Sequence, residues 1–430
     1  MNLKINNVAK IKNANIRIDG ITVIAGENNT GKSTVGKILF SLFNAISNID
    51  ERIVTERKNE INESCRLAIR NSGLLSDRGS ALFRNAAFLS RKIAEEIVSA
   101  SMENKLNREL VYNIVCSELD KRVEIYVDER EDMIGEIVDK IMPRLDLSEH
   151  SITLEVLSGY FDRVFNDQIN SLIDKGESAK LNLNIKDKNI DLEFNKNECV
   201  KFESNIAITH KAIYIDNPFV LDKLSDYGYT NIIEGFLKRL LTNYDNEDVM
   251  EGIIEKVLSK EKLEKIYSSL NMVVHGDIVE TSRNEYSLAD EYCEEPISFK
   301  NLSAGLKSFV IIKMLLERNK IGEKDVLILD EPEIHLHPQW QVIYAEIIVL
   351  LQKYFDLSIV VTTHSPYFLD AINLYSIKHE IDKGVNYYLS TVEDGRATME
   401  QVTDNIDKIY GKMSTPLDYL DTLRYELNNN

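Results

Sequence analysis

Residues 26–33 read Gly26-Glu27-Asn28-Asn29-Thr30-Gly31-Lys32-Ser33 and fit the pattern G-x-x-x-x-G-K-[ST]. Glycines at those two places let successive backbone N–H groups turn inward around phosphate oxygens. A helix beginning at Lys32 presents its positive end to the same oxygens. In this arrangement Lys32 reaches the β- and γ-phosphates and the Ser33 hydroxyl ligates Mg2+. Far along the chain, Val326-Leu327-Ile328-Leu329-Asp330-Glu331 is an apolar run ending in two carboxylates. Such a run reads as a buried parallel strand, whose C-terminal end faces the ligand. Asp330 would hold the water shell of Mg2+, and Glu331 would polarise the attacking water. Two further stretches bracket that strand. Ser303, in Asn301-Leu302-Ser303-Ala304-Gly305-Leu306-Lys307-Ser308, can cap a helix at whose positive end Gly305 allows close backbone approach. Thr362-Thr363-His364-Ser365 ends the next apolar run.

The elements that must position these residues are regular. A short apolar strand, Ile21-Thr22-Val23-Ile24, precedes the glycine loop, and a helix follows it to about Ile46. Residues 47–178 are mostly helical in pattern, with Ile93, Ile97, Met102, Leu106 and Leu110 recurring at helical spacing. Leu181, Leu183 and Ile185, then Ile190, Leu192 and Phe194, alternate about a turn and read as a hairpin. Ala212–Ile215 is a strand, 219–271 is helical, and two short strands precede 299. A buried helix (306–318), a strand (326–330), a helix (338–354) and a strand (358–363) then alternate, which requires a parallel sheet covered on both faces. Strand residues Tyr387–Leu389 and a final helix opened by Ser414, Thr415 and Pro416 complete the chain.

The chain has 430 residues, 43% of them apolar, and a net charge of −19. That acidity argues against a diffuse positive coat for nucleic acid. No apolar stretch is long enough to cross a membrane and no signal peptide opens the chain, so a cytoplasmic protein is expected. Cys65, Cys116, Cys199 and Cys293 lie far apart and read as buried thiols. His335 and His337 alternate but have no third partner, so they read as packing or interface residues rather than metal ligands.

Together, these four motifs resemble the ATP-binding-cassette (ABC) superfamily, in its non-transporter SMC-, RecF- and OLD-type branch. Gly26–Ser33 matches the Walker A loop, Leu302-Ser303-Ala304-Gly305 the signature, Asp330-Glu331 Walker B with the catalytic glutamate, and His364 the switch histidine. Asp330-Glu331-Pro332-Glu333-Ile334-His335-Leu336-His337-Pro338 resembles the D-E-P-E-x-x-L-H-P run of OLD- and RecF-like ATPases. The resemblance implies an α/β fold: an ABC-type P-loop head with a mixed sheet covered by helices, an N-terminal antiparallel part, and a helical insertion. The head would comprise 1–46 and 205–430, with a signature subdomain at about 219–318. The insertion would comprise 47–204, including a hairpin near 180–202.

The resemblance also implies ATP and Mg2+ as cofactors. ATP would lie on Gly26, Asn28, Asn29, Thr30, Gly31, Lys32, Ser33 and Thr34, with Ser33 and Asp330 at the metal. Glu331, His364 and Lys32 would be catalytic, His364 contacting the γ-phosphate. Heads would pair head-to-tail as a homodimer or higher oligomer, with Ser303, Ala304, Gly305 and Lys307 completing the partner's site. Ala304 stands where transporters have glycine, and Leu306-Lys307 where they have glutamine; a basic residue at Lys307 points to the SMC-like branch. The glutamine of the Q-loop has no clear counterpart, Asp216-Asn217 being the nearest candidate. OLD-type proteins append a Toprim nuclease. The residues after His364 are too few for one, and the chain has no Asp-x-Asp triplet. The expectation is therefore an ATPase of bacterial anti-phage defence that regulates a separately encoded nuclease or toxin, with any DNA contact indirect and no membrane partner. The alternative is a RecF-like DNA-binding repair ATPase.

Overall fold

The computed structural model describes residues 1–47, 49–71, 81–103, 106–121, 127–174, 176–226, 228, 231–242, 263–282 and 284–428. The chain divides into two compact units. One comprises 1–47 and 157–430, the other 48–156.

The larger unit is built on one sheet of eleven strands. In chain order they are β1 (Asn2–Val8), β2 (Ile11–Arg17), β3 (Ile21–Gly26), β4 (Ala179–Ile185), β5 (Lys188–Asn195), β6 (Glu198–Ser204), β7 (Ala212–Ile215), β11 (Val326–Asp330), β12 (Ser358–Thr363), β13 (Val385–Glu393) and β14 (Arg396–Gln401). A separate sheet holds β8 (Asp277–Ser282), β9 (Glu285–Ala289) and β10 (Ile297–Ser298), three strands where the sequence pattern suggests two. The large sheet runs β6-β5-β4-β1-β2-β14-β13-β3-β12-β11-β7. Strands β13, β3, β12, β11 and β7 are mutually parallel, whereas β1, β2, β4, β5 and β6 pair antiparallel. It is a mixed sheet covered by helices, the fold class expected of an ABC-type ATPase head.

The parallel half is apolar on both faces: all of β3 and Val326–Leu329 of β11 are buried. Helices α1 (Lys32–Ile46), α8 (Ala304–Glu317), α9 (Pro338–Phe355) and α10 (Pro366–Lys378) contribute to the unit's buried core. Between α1 and α8 the chain forms α2 (Ile49–Asn71), α3 (Ala81–Glu103), α4 (Arg108–Asp120), α5 (Val127–Leu145), α6 (Glu149–Phe165) and α7 (Ile232–Thr242). Gly36 lets α1 lie close against β11 and β7. A Cβ there would lie 2.8 Å from Ile328 Cγ2 and 2.8 Å from the Tyr214 ring.

The hairpin assigned by sequence to the insertion belongs to the head's sheet. β4 pairs with β1 so that Leu181 faces Ile5 and Leu183 faces Leu3, all four side chains buried. Alternation alone fixes which face of a hairpin is apolar, not which edge it joins. The compact helical unit thus ends near Val156 rather than at 204. Its core is made by α2 through α5, with Ile61, Cys65 and Ile69 on one helix facing Ile93, Ile97, Val115 and Ile137 on others. The 93–110 run falls on two helices, α3 and α4: the Asn107 side chain accepts from Leu110 N at 2.8 Å and starts α4 there. The final helix, α11 (Asp407–Asn428), begins seven residues before Ser414, because fully buried Ile409 pins its first turn; Pro416 lies inside it. Of the helical span expected at 219–271, residues 227, 229–230 and 243–262 lie outside the described residues. Cys65 and Cys199 are buried, burial pushing each thiol up to about 12, but Cys293 is exposed.

Gly36→Ala should destabilise the head by about 1–3 kcal/mol, the overpacking outweighing the gain in helix propensity. Urea unfolding of the full chain measures this, and a rise in stability would refute the close approach of α1.

Candidate nucleotide site

The glycine loop joins β3 to α1, and its backbone takes the inward turn that the sequence pattern requires. Asn29 has φ 66° and Gly31 φ 84°, both left-handed, and Gly31 caps α1. Gly26 is required by closeness: a Cβ would meet the Ser390 carbonyl oxygen at 2.4 Å. Ser390, buried on β13, donates from its hydroxyl to Thr30 O at 2.7 Å and supports the loop from behind. Thr30 turns its hydroxyl onto Glu27 O at 2.9 Å, and Asn29 Oδ1 accepts from Lys10 Nζ at 2.7 Å. A cleft of about 180 Å³ lies over residues Asn29–Thr34, with Lys10 and Glu331 on its walls. Asn28 faces an adjoining cleft of about 340 Å³ that includes Lys10, Thr391 and Lys412.

Five sequence-predicted residues from three segments meet at the end of the parallel strands. Ser33 Oγ donates to Asp330 Oδ1 at 3.0 Å. Lys32, 3% exposed, donates to Gly26 O at 3.0 Å and Glu27 O at 2.8 Å, and lies 3.3 Å from Glu331 Oε1. His364 Nδ1 is 3.7 Å from the same Glu331 oxygen. Glu331 sits in the left-handed region at φ 48°, a costly conformation for a non-glycine residue. Its N–H donates to Thr362 O at 3.1 Å and lies 3.0 Å from Thr362 Oγ1.

Three hydroxyls converge on the Asp330 carboxylate. Besides Ser33, Thr362 Oγ1 donates to Oδ1 at 2.5 Å and the Tyr214 hydroxyl to Oδ2 at 2.7 Å. Burial, and then the Asp330 charge, hold the Tyr214 hydroxyl well above its usual range, so it remains a donor. The roles of Tyr214 and Thr362 are not visible in the motifs. Their positions follow from strand register, Asp330 beside Thr362 and Leu329 beside Ile215, which no single segment reveals. The adjacent Ser33 and Asp330 oxygens are hard donors that suit Mg2+, an ion that keeps several waters and takes few protein ligands. Among the described residues no group of three or more His, Cys, Asp or Glu surrounds a common point.

The signature residues stand apart. Ser303 is exposed and caps α8, accepting from Leu306 N at 3.3 Å. Gly305 is buried against the next loop, where a Cβ would meet His335 O at 2.8 Å and the Trp340 ring at 3.2 Å. Ala304 lies half-buried between them. Lys307, expected at a second head's site, turns into its own chain. It is 2% exposed, 2.6 Å from Asp222 Oδ1 and 5.0 Å from the centre of the Phe219 ring. At the fourth residue of α8 it faces the 3-10 turn Pro218–Lys223, not outward. His335 packs its ring edge-on to Phe219 at 5.5 Å, and His337 caps α9.

This combination of phosphate loop, carboxylate-ended strand and mixed sheet is that of a P-loop ATPase. A family model described as AAA ATPase domain matches residues 1–369. The chain belongs to that family and is an ATP-hydrolysing P-loop ATPase. Solved structures similar to it include the SMC head domain from Thermotoga maritima, at 11% identity and TM-score 0.39, covering 93% of this chain and 98% of that one. An SMC head bound to the C-winged helix domain of ScpA matches at 10% identity and TM-score 0.43, over 93% and 96%. An SMC head with an extended coiled coil, bound to the C-terminal domain of ScpA derived from Pyrococcus furiosus, matches at 11% and 0.34, over 98% of each. Among the described residues no helix is long and apolar enough to cross a membrane.

Tyr214→Phe removes one of the three donors to Asp330. The expected result is a several-fold rise in the Mg2+ concentration that half-saturates ATP turnover, with a loss of about 1–3 kcal/mol in stability. A magnesium titration of turnover checks it; an unchanged midpoint would show that the Tyr214 hydroxyl does not matter to Asp330.

Proposed function

We propose that the chain is a Mg2+-dependent ATPase whose ATP-bound heads pair head-to-tail to regulate a separately encoded effector, a nuclease or toxin, in bacterial anti-phage defence. The observation that carries the hydrolytic part is the meeting of Lys32, Ser33, Asp330, Glu331 and His364 within hydrogen-bonding or ion-pairing reach of one another. The loop N–H groups and the α1 N-terminus bind the phosphates, and Lys32 turns its ammonium from the loop carbonyls to the β- and γ-phosphate oxygens. Ser33 and, through water, Asp330 would hold Mg2+, which would supply neutralisation of phosphate charge. Glu331 accepts the proton of the attacking water, while His364 steadies the γ-phosphate beside it. Ser303 and Gly305 present the N-terminus of α8 to the ATP of a second head. The acidic total suits a chain that engages a protein effector rather than one that coats DNA.

Lys32→Ala should abolish ATP binding. Glu331→Gln should retain binding, slow turnover by about 10²- to 10⁴-fold, and hold the paired heads together in ATP. Nucleotide binding, phosphate release and sedimentation velocity on the full-length variants measure these three effects. Wild-type turnover in Glu331→Gln would remove Glu331 as the base. Failure of wild type and variant to associate in ATP would remove the head-to-tail reading. Co-purification of a second chain from the native host tests the effector, and ATP-dependent, steeply salt-sensitive binding to DNA alone would overturn it.

A further inference from the structure

Two side chains from the stretch after β11 hold the histidine-bearing turn after β12. Glu333, 3% exposed, accepts at Oε1 from the Thr363 hydroxyl at 2.6 Å and from His364 N at 2.9 Å. Gln341, 8% exposed, accepts at Oε1 from the Ser365 hydroxyl at 2.7 Å and donates to Leu336 O at 3.0 Å. Three consecutive residues, 363–365, are thereby bonded to one stretch of chain by two buried side chains.

The loop between β11 and α9 is bonded to itself. Ile334 N bonds to Glu331 O at 3.2 Å, Leu336 N to Glu333 O at 2.9 Å and Trp340 N to His337 O at 2.8 Å, and Pro332 and Pro338 flank the turns. The other Glu333 oxygen, Oε2, is buried without a hydrogen-bond partner. A bare carboxylate oxygen there would be costly, and burial pushes the Glu333 carboxyl above its usual range although the Thr363 and His364 bonds pull it back.

We propose that Glu333 is a positioning residue for ATP hydrolysis: by holding Thr363 and the His364 backbone to the loop that starts at Glu331, it fixes the His364 ring against the Glu331 carboxylate. The inference rests on the proposed roles of Glu331 and His364. It explains why a second acid lies two residues beyond Glu331, turned away from the nucleotide cleft. Glu333 Oε1 also lies 3.8 Å from His364 Nδ1, so it holds the ring from the side opposite the phosphate loop, none of whose residues it touches among its described bonds.

The test compares Glu333→Ala, Glu333→Gln and Glu331→Gln in the full chain, measuring kcat, KM, ATP affinity and thermal melting. Glu333→Ala should lose about 100-fold in kcat, the scale of a misplacement near 1 Å, and keep ATP affinity within about threefold. Glu333→Gln should restore kcat to within about threefold of wild type, since its amide oxygen accepts the same two bonds. If Glu333→Ala does not fold, Thr363→Val, which removes the hydroxyl from the other side, should lower kcat with ATP affinity retained. Wild-type kcat in Glu333→Ala or Thr363→Val overturns the proposal, as does a Gln variant no better than Ala, or a parallel loss of affinity and kcat in a folded variant. Wild-type turnover in Glu331→Gln instead removes the underlying hydrolytic reading, and the proposal with it.

Discussion

The Asp330 carboxylate, at the end of a strand buried on both faces, is the constraint on which the head is organised. A half-buried carboxylate at that strand end is best accommodated when its oxygens are bonded. The donors come from three different elements: Ser33 from α1, Thr362 from β12 and Tyr214 from β7. Each can arrive only if its element holds its place. β7 and β12 must flank β11 in parallel and in register, and α1 must lie close enough for Gly36 to touch Ile328 and Tyr214. Satisfying one carboxylate therefore fixes the order of three strands and the seat of the phosphate-loop helix. It also brings the loop's Lys32 and Ser33 to the strand end where Glu331 follows.

One residue later the chain takes up strain instead of relieving it. Glu331 adopts a left-handed backbone, held by its N–H on Thr362. The turn reverses the chain immediately, so Glu331 points toward Lys32 and His364, whereas Glu333 turns back beneath the 363–365 turn, its Oε1 3.8 Å from the same His364 nitrogen. The two acids of this short stretch thus meet opposite environments. One stays partly open to the cleft; the other is sealed and driven toward its neutral form. A straighter chain would place both on one side and lose that division.

Much of this is legible in the residues alone. The glycine loop and the carboxylate-ended strand declare themselves locally, because the phosphate and metal chemistry dictates residue types at fixed spacing. Tyr214 and Thr362 are not legible, since their importance comes from lateral register between strands far apart in sequence. The β4–β5 hairpin reads correctly as a hairpin but not as part of the head: alternation specifies a face, whereas membership in a sheet depends on which edge is free, here that of β1. Lys307 shows the converse case. Its motif position suggests a contact for a second head, but helical periodicity turns the fourth residue of α8 inward, where Asp222 neutralises it.

That burial bears on how the signature would act. With Lys307 committed to its own chain, the start of α8 offers Ser303, Ala304 and the first backbone N–H groups of the helix. None of residues 303–306 carries a cation to reach across. Recognition of a second head's phosphates would then rest on the positive end of the helix and one hydroxyl, interactions that are short-ranged and weak unless the geometry is fixed beforehand. The structure supplies that fixing from behind: Gly305 is seated on His335 O and Trp340, and Lys307 bonds α8 to the turn that follows β7. A lysine that cannot touch nucleotide thus still serves the proposed pairing, by holding rigid the helix end that can.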